Sequence, residues 1–202
     1  MSMNVLVACE FSGVVRRAFR AKGHNAWSID LLPSSDDSPF HAVGDLADGT
    51  SDAVFKLWKA IREHGPWDLL IAHPPCTFMA NSGVRWLHTE EGRWDKLKEA
   101  CEFFNMLKDA PVERICIENP IPHKYAREHI GKYTQIVHPW QHGHGESKAT
   151  CLWLKGLPEL QPTNIVEGRE QRSWLLGPSP DRWKLRSTTY QGIAEAMAEQ
   201  WG

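Results

Sequence analysis

Residues 4–23 read NVLVACEFSGVVRRAFRAKG, and the order of this stretch decides the fold. Residues 4–9 form a short apolar run typical of a buried strand, and residues 13–22 have helical composition. Gly23 follows at the position where glycine commonly ends a helix in the left-handed conformation. A buried strand followed directly by a helix predicts the start of a parallel strand–helix–strand unit.

The same alternation of strand and helix continues to residue 118. Further strand patterns occupy residues 25–30, 41–45, 68–72 and 114–118, and further helical patterns occupy residues 52–64 and 93–108. Parallel strands joined by right-handed helical crossovers give such an order. The sequence therefore predicts an α/β fold with a doubly wound, mostly parallel sheet.

The chain is predicted to form a single domain over residues 1–202, a length that suits one hydrophobic core. Residues 131–187 mix Gly, Pro, His and Trp irregularly, with one strand-like run at residues 150–155, and we expect this region to face the substrate. Residues 188–202 are predicted to form a C-terminal helix that packs back on the core. Its apolar face contains Ile193, Ala194, Met197 and Trp201.

The composition argues against several protein classes. Hydrophobic residues make up 42% and charged residues 24% of the chain, as in ordinary globular proteins. No run approaches the roughly 20 apolar residues of a membrane span. The N-terminus lacks the features of a signal peptide, so a cytoplasmic protein is expected. The net charge of -2 means that nucleic-acid binding would need a local basic patch.

Polar residues and turn signals cluster where the predicted strands end. They are residues 10–13, Asp30, Asp45, residues 73–76 and residues 118–120. Doubly wound sheets bind their ligands at the carboxyl ends of the strands. We therefore expect an active site at this edge of the sheet.

Two acids at strand ends favour an adenosine-containing cofactor. Asp30 ends the second strand, where a carboxylate can accept hydrogen bonds from both hydroxyls of a ribose. Asp45 ends the third strand, where a carboxylate can accept a hydrogen bond from an adenine amino group. Gly13 follows the first strand, where it lets the backbone approach a ligand at the next helix N-terminus. Each acid taken alone also fits a helix N-cap or a solvated loop, but their shared placement favours the cofactor.

The segment His73-Pro74-Pro75-Cys76 predicts a nucleophile. Its two prolines fix the backbone and hold the next residue in a defined position. A thiol held in this way can act as a nucleophile where its surroundings favour the thiolate, whereas a lone cysteine is more often a buried structural residue. Glu118 closes the next strand and supplies a partner acid, so we interpret Cys76 as the nucleophile. We interpret the other cysteines as buried structural residues; they are Cys9, Cys101, Cys116 and Cys151.

These motifs together resemble those of the cytosine carbon-5 DNA methyltransferases. Pro74-Pro75-Cys76 followed by residues 118–120 (Glu-Asn-Pro) is similar to the family's paired catalytic motifs, and residues 11–13 (Phe-Ser-Gly) are similar to its cofactor loop. The resemblance covers roughly the first 120 residues, and the short chain is similar to compact, phage-like members of the family. It implies the Rossmann-like fold of methyltransferases and S-adenosylmethionine as cofactor. The implied cofactor-binding residues are Glu10, Phe11, Ser12, Gly13, Asp30, Leu31, Asp45, Leu46 and Pro74.

The resemblance also implies the chemistry. The Cys76 thiolate would add to carbon 6 of cytosine, and carbon 5 would then attack the sulfonium methyl. Glu118 would hold or protonate ring nitrogen 3, which calls for a carboxyl pKa raised by burial and by hydrogen bonding to the base. Asn119 and Pro120 would position Glu118, and Pro75 would lie against the base.

Two departures from the family leave the acceptor open. The family's Gln-x-Arg-x-Arg motif is absent, and its nearest counterparts for holding a phosphate or the base are Gln141, His144 and Lys148. A long target-recognition region is also absent, although residues 157–187 hold basic side chains for phosphate contacts. These are Arg169, Arg172, Arg182, Lys184 and Arg186. The expected partner is therefore single- or double-stranded DNA or a nucleotide substrate, and a base already out of the stack is easier to methylate.

Two alternative functions compete with this interpretation, and a metal site is a separate question. The enzyme could methylate another acceptor, such as uracil, an exocyclic amino group, RNA or a free nucleotide, or it could transfer a group other than methyl. The chain could instead bind nucleotides or nucleic acid without turnover, although such a protein has no need of the Cys76–Glu118 pair. A zinc site of His138, His142, His144 and Cys151 has suitable ligand types, but their spacing matches no common zinc finger, so we expect no metal.

Overall fold

The computed structural model describes residues 1–46 and 66–202. Within these residues, seven strands form one sheet in the order β3-β2-β1-β4-β5-β7-β6. The strands are β1 (Asn4–Ala8), β2 (Asn25–Asp30), β3 (His41–Val43), β4 (Leu69–Ala72), β5 (Arg114–Pro120), β6 (Gln135–Val137) and β7 (Thr150–Lys155). The first five strands are parallel to one another, and β7 runs antiparallel to both β5 and β6. This arrangement confirms the predicted doubly wound, mostly parallel α/β fold.

The helices lie where the crossovers require them. They are α1 (Val14–Ala21), α2 (Arg93–Lys108), α3 (Lys124–Ile130), α4 (Arg172–Leu175), α5 (Arg182–Ser187) and α6 (Gln191–Trp201), and 3₁₀ turns occupy Asn81–His88 and Pro139–Gln141. The helix predicted at residues 52–64 lies outside the described residues. The structure adds α3 and β6, which the sequence pattern did not predict. The three residues of β6 are too few to show an alternation.

The apolar runs of β1 and β4 are buried because helices cover both faces of the sheet. Leu6 and Leu70 point to the face packed by α2, whereas Val5 and Leu69 point to the face packed by α1 and α6. On the latter face Trp201 is 2% exposed, and its indole N–H donates to the Pro158 carbonyl over 3.0 Å. The C-terminal helix therefore packs on the core through its predicted apolar face.

The region of residues 131–187 is less irregular than its composition indicates. β7 lies between β5 and β6 and contributes Cys151 and Leu152 to the core. The remainder includes β6, α4 and α5. Within residues 1–46 and 66–202, no helix combines the length and the apolar character that crossing a membrane requires.

The sheet order also locates the ligand-binding edge. The chain proceeds from β1 outward through β2 to β3 on one side, and from β4 outward through β5 on the other. The crevice between the carboxyl ends of β1 and β4 is thus the point where the strand order reverses, which is where doubly wound sheets bind ligands.

Candidate active site

The carboxyl ends of three neighbouring strands open into one cavity of about 120 Å³. Glu10 follows β1, His73 follows β4, and Glu118 lies near the end of β5. The cavity is lined by Cys9, Glu10, Phe11, Ser12, His73, Pro74, Pro75, Cys76, Glu118, Asn119, Pro120, Lys148, Thr150, Arg186, Ser187 and Thr189. The predicted nucleophile and the predicted partner acid therefore share one cavity.

Hydrogen bonds fix the segments that carry Cys76 and Glu118 against each other. The Asn119 side-chain amide donates to the Pro74 carbonyl over 2.9 Å, and Asn119 is 1% exposed. Further along, the backbone N–H of Asn81 donates to the Ile121 carbonyl over 3.0 Å, and that of His123 donates to the Met79 carbonyl over 3.0 Å. Asn119 thus positions both motifs, because its side chain joins the two strand ends.

His73 and Glu118 form a largely buried pair at the floor of the cavity. His73 Nδ1 lies 3.0 Å from Glu118 Oε2, and the Thr189 hydroxyl donates to the same oxygen over 3.2 Å. Burial alone would raise the pKa of Glu118, but the nearby His73 charge and hydrogen bond, with Lys148 and Thr189, hold that pKa below its ordinary value. The expectation that the pKa of Glu118 is raised is therefore wrong for the protein without a bound base, because the neighbouring imidazole, together with Lys148 and Thr189, lowers this pKa more than burial raises it.

The Cys76 thiol is partly buried, and burial raises its pKa above the ordinary value. A hydrogen bond from the backbone N–H of Cys76 and the positive charges of Lys148 and Arg186 oppose this rise, and the Glu118 charge adds to it. Cys76 is therefore mostly a thiol at neutral pH. The backbone hydrogen bond and the two basic side chains are the features that favour its thiolate.

Glu10 occupies the N-terminus of α1. Its two carboxylate oxygens accept the backbone N–H groups of Val15 over 2.6 Å and Arg16 over 3.2 Å, and the residue is 4% exposed. Burial raises the pKa of Glu10, while His73 and these hydrogen bonds lower it in part. The helix N-terminus that a phosphate would use is thus filled by a carboxylate.

Arg16 lies against the loop of residues 10–13 and holds it in place through a buried network. Its guanidinium is fully buried, donates to the Ser28 hydroxyl over 2.7 Å and pairs with Asp36 over 2.5 Å. The Ser28 hydroxyl in turn lies 2.8 Å from His41 Nδ1. The network joins α1 to β2 and β3, so it fixes the loop of residues 10–13 relative to the sheet.

Gly13 has no room for a side chain, and this gives a stability prediction. Its φ is +67°, and a Cβ atom there would lie 2.3 Å from the Arg16 guanidinium. Gly23 also has a positive φ, +86°, but open space surrounds its missing Cβ. We expect Gly23→Ala to cost about 1–2 kcal/mol of unfolding free energy from backbone strain alone. Gly13→Ala should cost clearly more, because Arg16 must move. Urea unfolding of both variants measures the difference, and equal losses would contradict the role of Arg16.

The predicted adenosine-binding acids lie beside this cavity and do not line it. Asp30 ends β2, and its Oδ1 accepts the Leu32 backbone N–H over 2.9 Å. Burial raises the pKa of Cys9 to about 12, and the charges of Asp30 and Asp45 add to this rise, which shows that both acids lie near Cys9. Leu31 is 68% exposed and Leu46 packs partly on the core. Pro74 is buried and lines the cavity.

Of the three predicted counterparts of the basic motif, the structure brings only Lys148 to the cavity. Gln141 Oε1 accepts the His138 backbone N–H over 2.7 Å, and His144 Nε2 accepts the Gly192 backbone N–H over 3.0 Å. Gln141 closes a local turn, His144 joins its segment to the start of α6, and neither lines the cavity, so their role in substrate binding stays a prediction.

The cavity also contains Thr189, which sequence patterns did not single out and which bonds Glu118. Of the basic side chains predicted to contact phosphate, Arg186 reaches the cavity from α5. On the same helix the Trp183 ring lies 5.7 Å from the Phe11 ring, between centroids. Because these contacts join residues more than 60 positions apart, no local signal indicates them. The described residues contain no group of three or more His, Cys, Asp or Glu side chains that could hold a metal ion.

Comparison with known proteins finds similar solved structures but no match in sequence. No family model and no curated protein matches the chain. The chain is similar to the crystal structure of a Dnmt2 methyltransferase from S. pombe, with 17% identity, a TM-score of 0.46, and coverage of 79% of this chain and 51% of that one. It is also similar to a Spodoptera frugiperda DNMT2 mutant structure, with 14% identity, a TM-score of 0.44, and coverage of 89% and 61%. The chain thus spans between half and two thirds of the length of these structures.

Proposed function

We propose that the protein transfers a methyl group from S-adenosylmethionine to carbon 5 of cytosine through a covalent bond to Cys76. One observation carries the proposal: Cys76 and Glu118 share a cavity at the reversal point of a doubly wound sheet, beside the loop of residues 10–13. A thiol and a carboxyl group facing one small cavity are the two groups that covalent pyrimidine activation requires.

The residues present fit S-adenosylmethionine better than a dinucleotide. The Glu10 carboxylate already accepts the N–H groups at the start of α1, so a second anion there would be repelled. A methionine ammonium group would instead be attracted by this buried carboxylate. The residues proposed to hold the cofactor are Glu10, Phe11, Ser12, Gly13, Asp30, Leu31, Asp45, Leu46 and Pro74. When bound, the cofactor supplies an electrophilic methyl group.

The chain's own groups would perform the remaining steps. The Cys76 sulfur forms a bond to carbon 6 of the ring, and the displaced electron pair makes carbon 5 nucleophilic. Glu118 holds ring nitrogen 3 and stabilises the charge that this addition places on the ring. After methylation, water takes the proton from carbon 5, the electron pair of that bond restores the double bond between carbons 5 and 6, and the bond between sulfur and carbon 6 breaks to release the Cys76 thiolate. Asn119 keeps the two motifs in register throughout, because its amide bonds Pro74.

The acceptor is proposed to be a cytosine nucleotide, either free or within a DNA strand. Lys148 and Arg186 line the cavity and supply positive charge for a phosphate. Trp183, which is 49% exposed, lies on the same short helix as Arg186, and an exposed indole offers a surface on which a base can stack.

Methyl transfer from labelled cofactor tests this function. Duplex DNA, single-stranded DNA, RNA and deoxycytidine monophosphate would be offered in parallel, and products would be digested and identified. We expect label in 5-methylcytosine, with single strands or the mononucleotide preferred to duplex because no base need leave a stack. Acceptors already methylated at carbon 5 serve as the matched control and should take up no label. Cofactor binding without transfer to any acceptor would contradict the proposal and favour a binding role.

A further inference from the structure

His73 has a position that the chemistry above leaves without a role. Its ring is largely buried between two carboxyl groups, with Nδ1 3.0 Å from Glu118 Oε2 and with Glu10 as a second negative charge acting on it. Among the described residues, both ring nitrogens are buried and neither makes a hydrogen bond of favourable geometry, but Nδ1 lies at ion-pair distance from Glu118 Oε2. Nδ1 is therefore the ring nitrogen from which a small rotation would let a proton pass to Glu118.

The charges around His73 favour its protonated form. Burial alone would lower the pKa of His73, but Glu118 and then Glu10 raise it above its ordinary value, against a smaller opposing effect of Lys148. Arg186 and the Cys76 thiol also line the cavity above the pair. The carboxyl groups of Glu10 and Glu118 and the imidazole of His73 interact within one site, so their protonation states are coupled. We therefore describe His73 and Glu118 as one unit that stores a proton.

We propose that His73 is a positioning residue that acts through Glu118 and stores the proton that ring nitrogen 3 takes up when Cys76 adds to the base. This inference rests on the proposed function. As the bond between sulfur and carbon 6 forms, ring nitrogen 3 gains an electron pair. The Nδ1–H bond of His73 breaks toward the Glu118 carboxylate, the carboxyl group gives a proton to nitrogen 3, and the imidazole becomes neutral. Elimination of Cys76 reverses this transfer and returns the proton to His73, so the only proton released in the cycle is the one that carbon 5 loses to water.

The pair explains how a carboxylate that is ionised before the base binds can still serve as the acid. Glu118 is held ionised by the imidazolium, and the same imidazolium replaces the proton that Glu118 gives away. A lone buried glutamate would instead keep its proton tightly, because burial disfavours the charged form. His73 thus allows Glu118 to exchange its proton rapidly in both directions of the reaction.

Trapping with a pyrimidine that carries fluorine at carbon 5 tests the relay in the full-length protein. His73→Asn keeps an N–H donor for Glu118 but stores no proton. We expect the rate of covalent adduct formation to fall about 100-fold in His73→Asn and similarly in Glu118→Gln, with little change in binding of the base. The double variant should be no slower than either single variant, because the residues act as one unit. If the rate in the double variant falls by the product of the two single-variant losses, the inference is overturned.

The pH profile separates proton storage from a merely structural role. In the wild type, the adduct rate should fall as the pH rises through the raised pKa of His73, where the stored proton is lost. His73→Asn should lack this alkaline limb. The exposed residue His88 provides the matched control, and His88→Asn should keep the wild-type profile.

Histidine NMR gives a readout that does not depend on activity. The NMR signals of the His73 ring are assigned by their absence in His73→Asn. In the wild type the ring should remain protonated above the ordinary pKa of histidine. In Glu118→Gln the pKa of His73 should return toward its ordinary value. A neutral His73 at pH 6 would overturn the inference whatever the adduct assay gives. A protonated His73 without an adduct on any pyrimidine would overturn the covalent function and the proton storage proposed for it, and would leave a structural ion pair.

Discussion

Replacing Cys76 with alanine is expected to abolish both methyl transfer and covalent trapping. The variant removes the only group in the mechanism that can bond to carbon 6, so carbon 5 stays a poor nucleophile. Loss of a nucleophile in an enzyme of this kind lowers the rate by roughly 10⁴-fold or more, which brings transfer below detection. Cofactor binding should persist, because the residues proposed to hold the cofactor are unchanged.

Mass spectrometry of the adduct with a 5-fluoropyrimidine identifies the residue that reacts. Cys101→Ala is the matched control, because Cys101 is a buried core residue on α2 that lies outside the cavity lining. It should trap the base as the wild type does. An adduct on Cys9, the other thiol in the cavity wall, would contradict the assignment of the nucleophile.

The pH dependence of trapping follows from the pKa of Cys76. Burial raises this pKa above its ordinary value, so the thiolate fraction increases with pH throughout the neutral range. The adduct rate should therefore rise with pH before the loss of the stored His73 proton reduces it.

Substitution of Lys148 with methionine should lower the rate of adduct formation at neutral pH, because Lys148 opposes the rise in the pKa of Cys76.

The second large effect is expected on stability, from Asp36→Asn. Asp36 pairs with the fully buried Arg16 over 2.5 Å and with Arg17 over 2.7 Å. Removing its charge leaves the Arg16 guanidinium buried without a counter-charge, and breaking such a pair costs about 3 kcal/mol of unfolding free energy. Because Arg16 lies beneath Gly13, cofactor affinity should fall together with stability.

The acid limb of the stability curve provides the second measurement for this variant. Burial alone would raise the pKa of Asp36, but hydrogen bonds from Ser34, Arg16 and Arg17 lower it well below its ordinary value. The stabilisation is therefore present above the unfolded-state pKa of Asp36, near 3.8, and is lost as the pH falls toward the lowered value. Asp36→Asn should lack this acid-dependent loss.

Asp37→Asn is the charge-matched control for Asp36→Asn. Asp37 is the next residue, is exposed, and has a φ of +50°, a conformation that asparagine tolerates. The control should stay within about 0.5 kcal/mol of the wild type, as for other exposed substitutions. If both variants unfold at the same urea concentration, the buried ion pair contributes less than we infer.

Much of the fold could be predicted because it depends on local patterns. The apolar runs of β1 and β4 are buried on both faces, and their composition alone indicates central strands. The elements that were not predicted are short or local, such as the three residues of β6 and the seven residues of α3. Their stability comes from pairing and packing with distant parts of the chain, and a single sequence does not display those partners.

The sequence by itself determined the order of the strands and helices and the edge of the sheet where ligands bind. It also brought Cys76 and Glu118 to that edge, because Cys76 follows the end of β4 and Glu118 lies near the end of β5. Only the tertiary structure decided which neighbouring side chains face the cavity. It selected Lys148 over Gln141 and His144, and it paired His73 with Glu118.

The charge states within the site were also decided by the tertiary structure. The pKa of Glu118 is lowered by a residue 45 positions away in sequence, and that of Cys76 is raised by burial against the opposing charges of Lys148 and Arg186. Desolvation and electrostatic interaction depend on distance in space and on exclusion of water. Sequence separation encodes neither quantity, so residue types and strand order identify the groups in the site, and three-dimensional packing sets their charge.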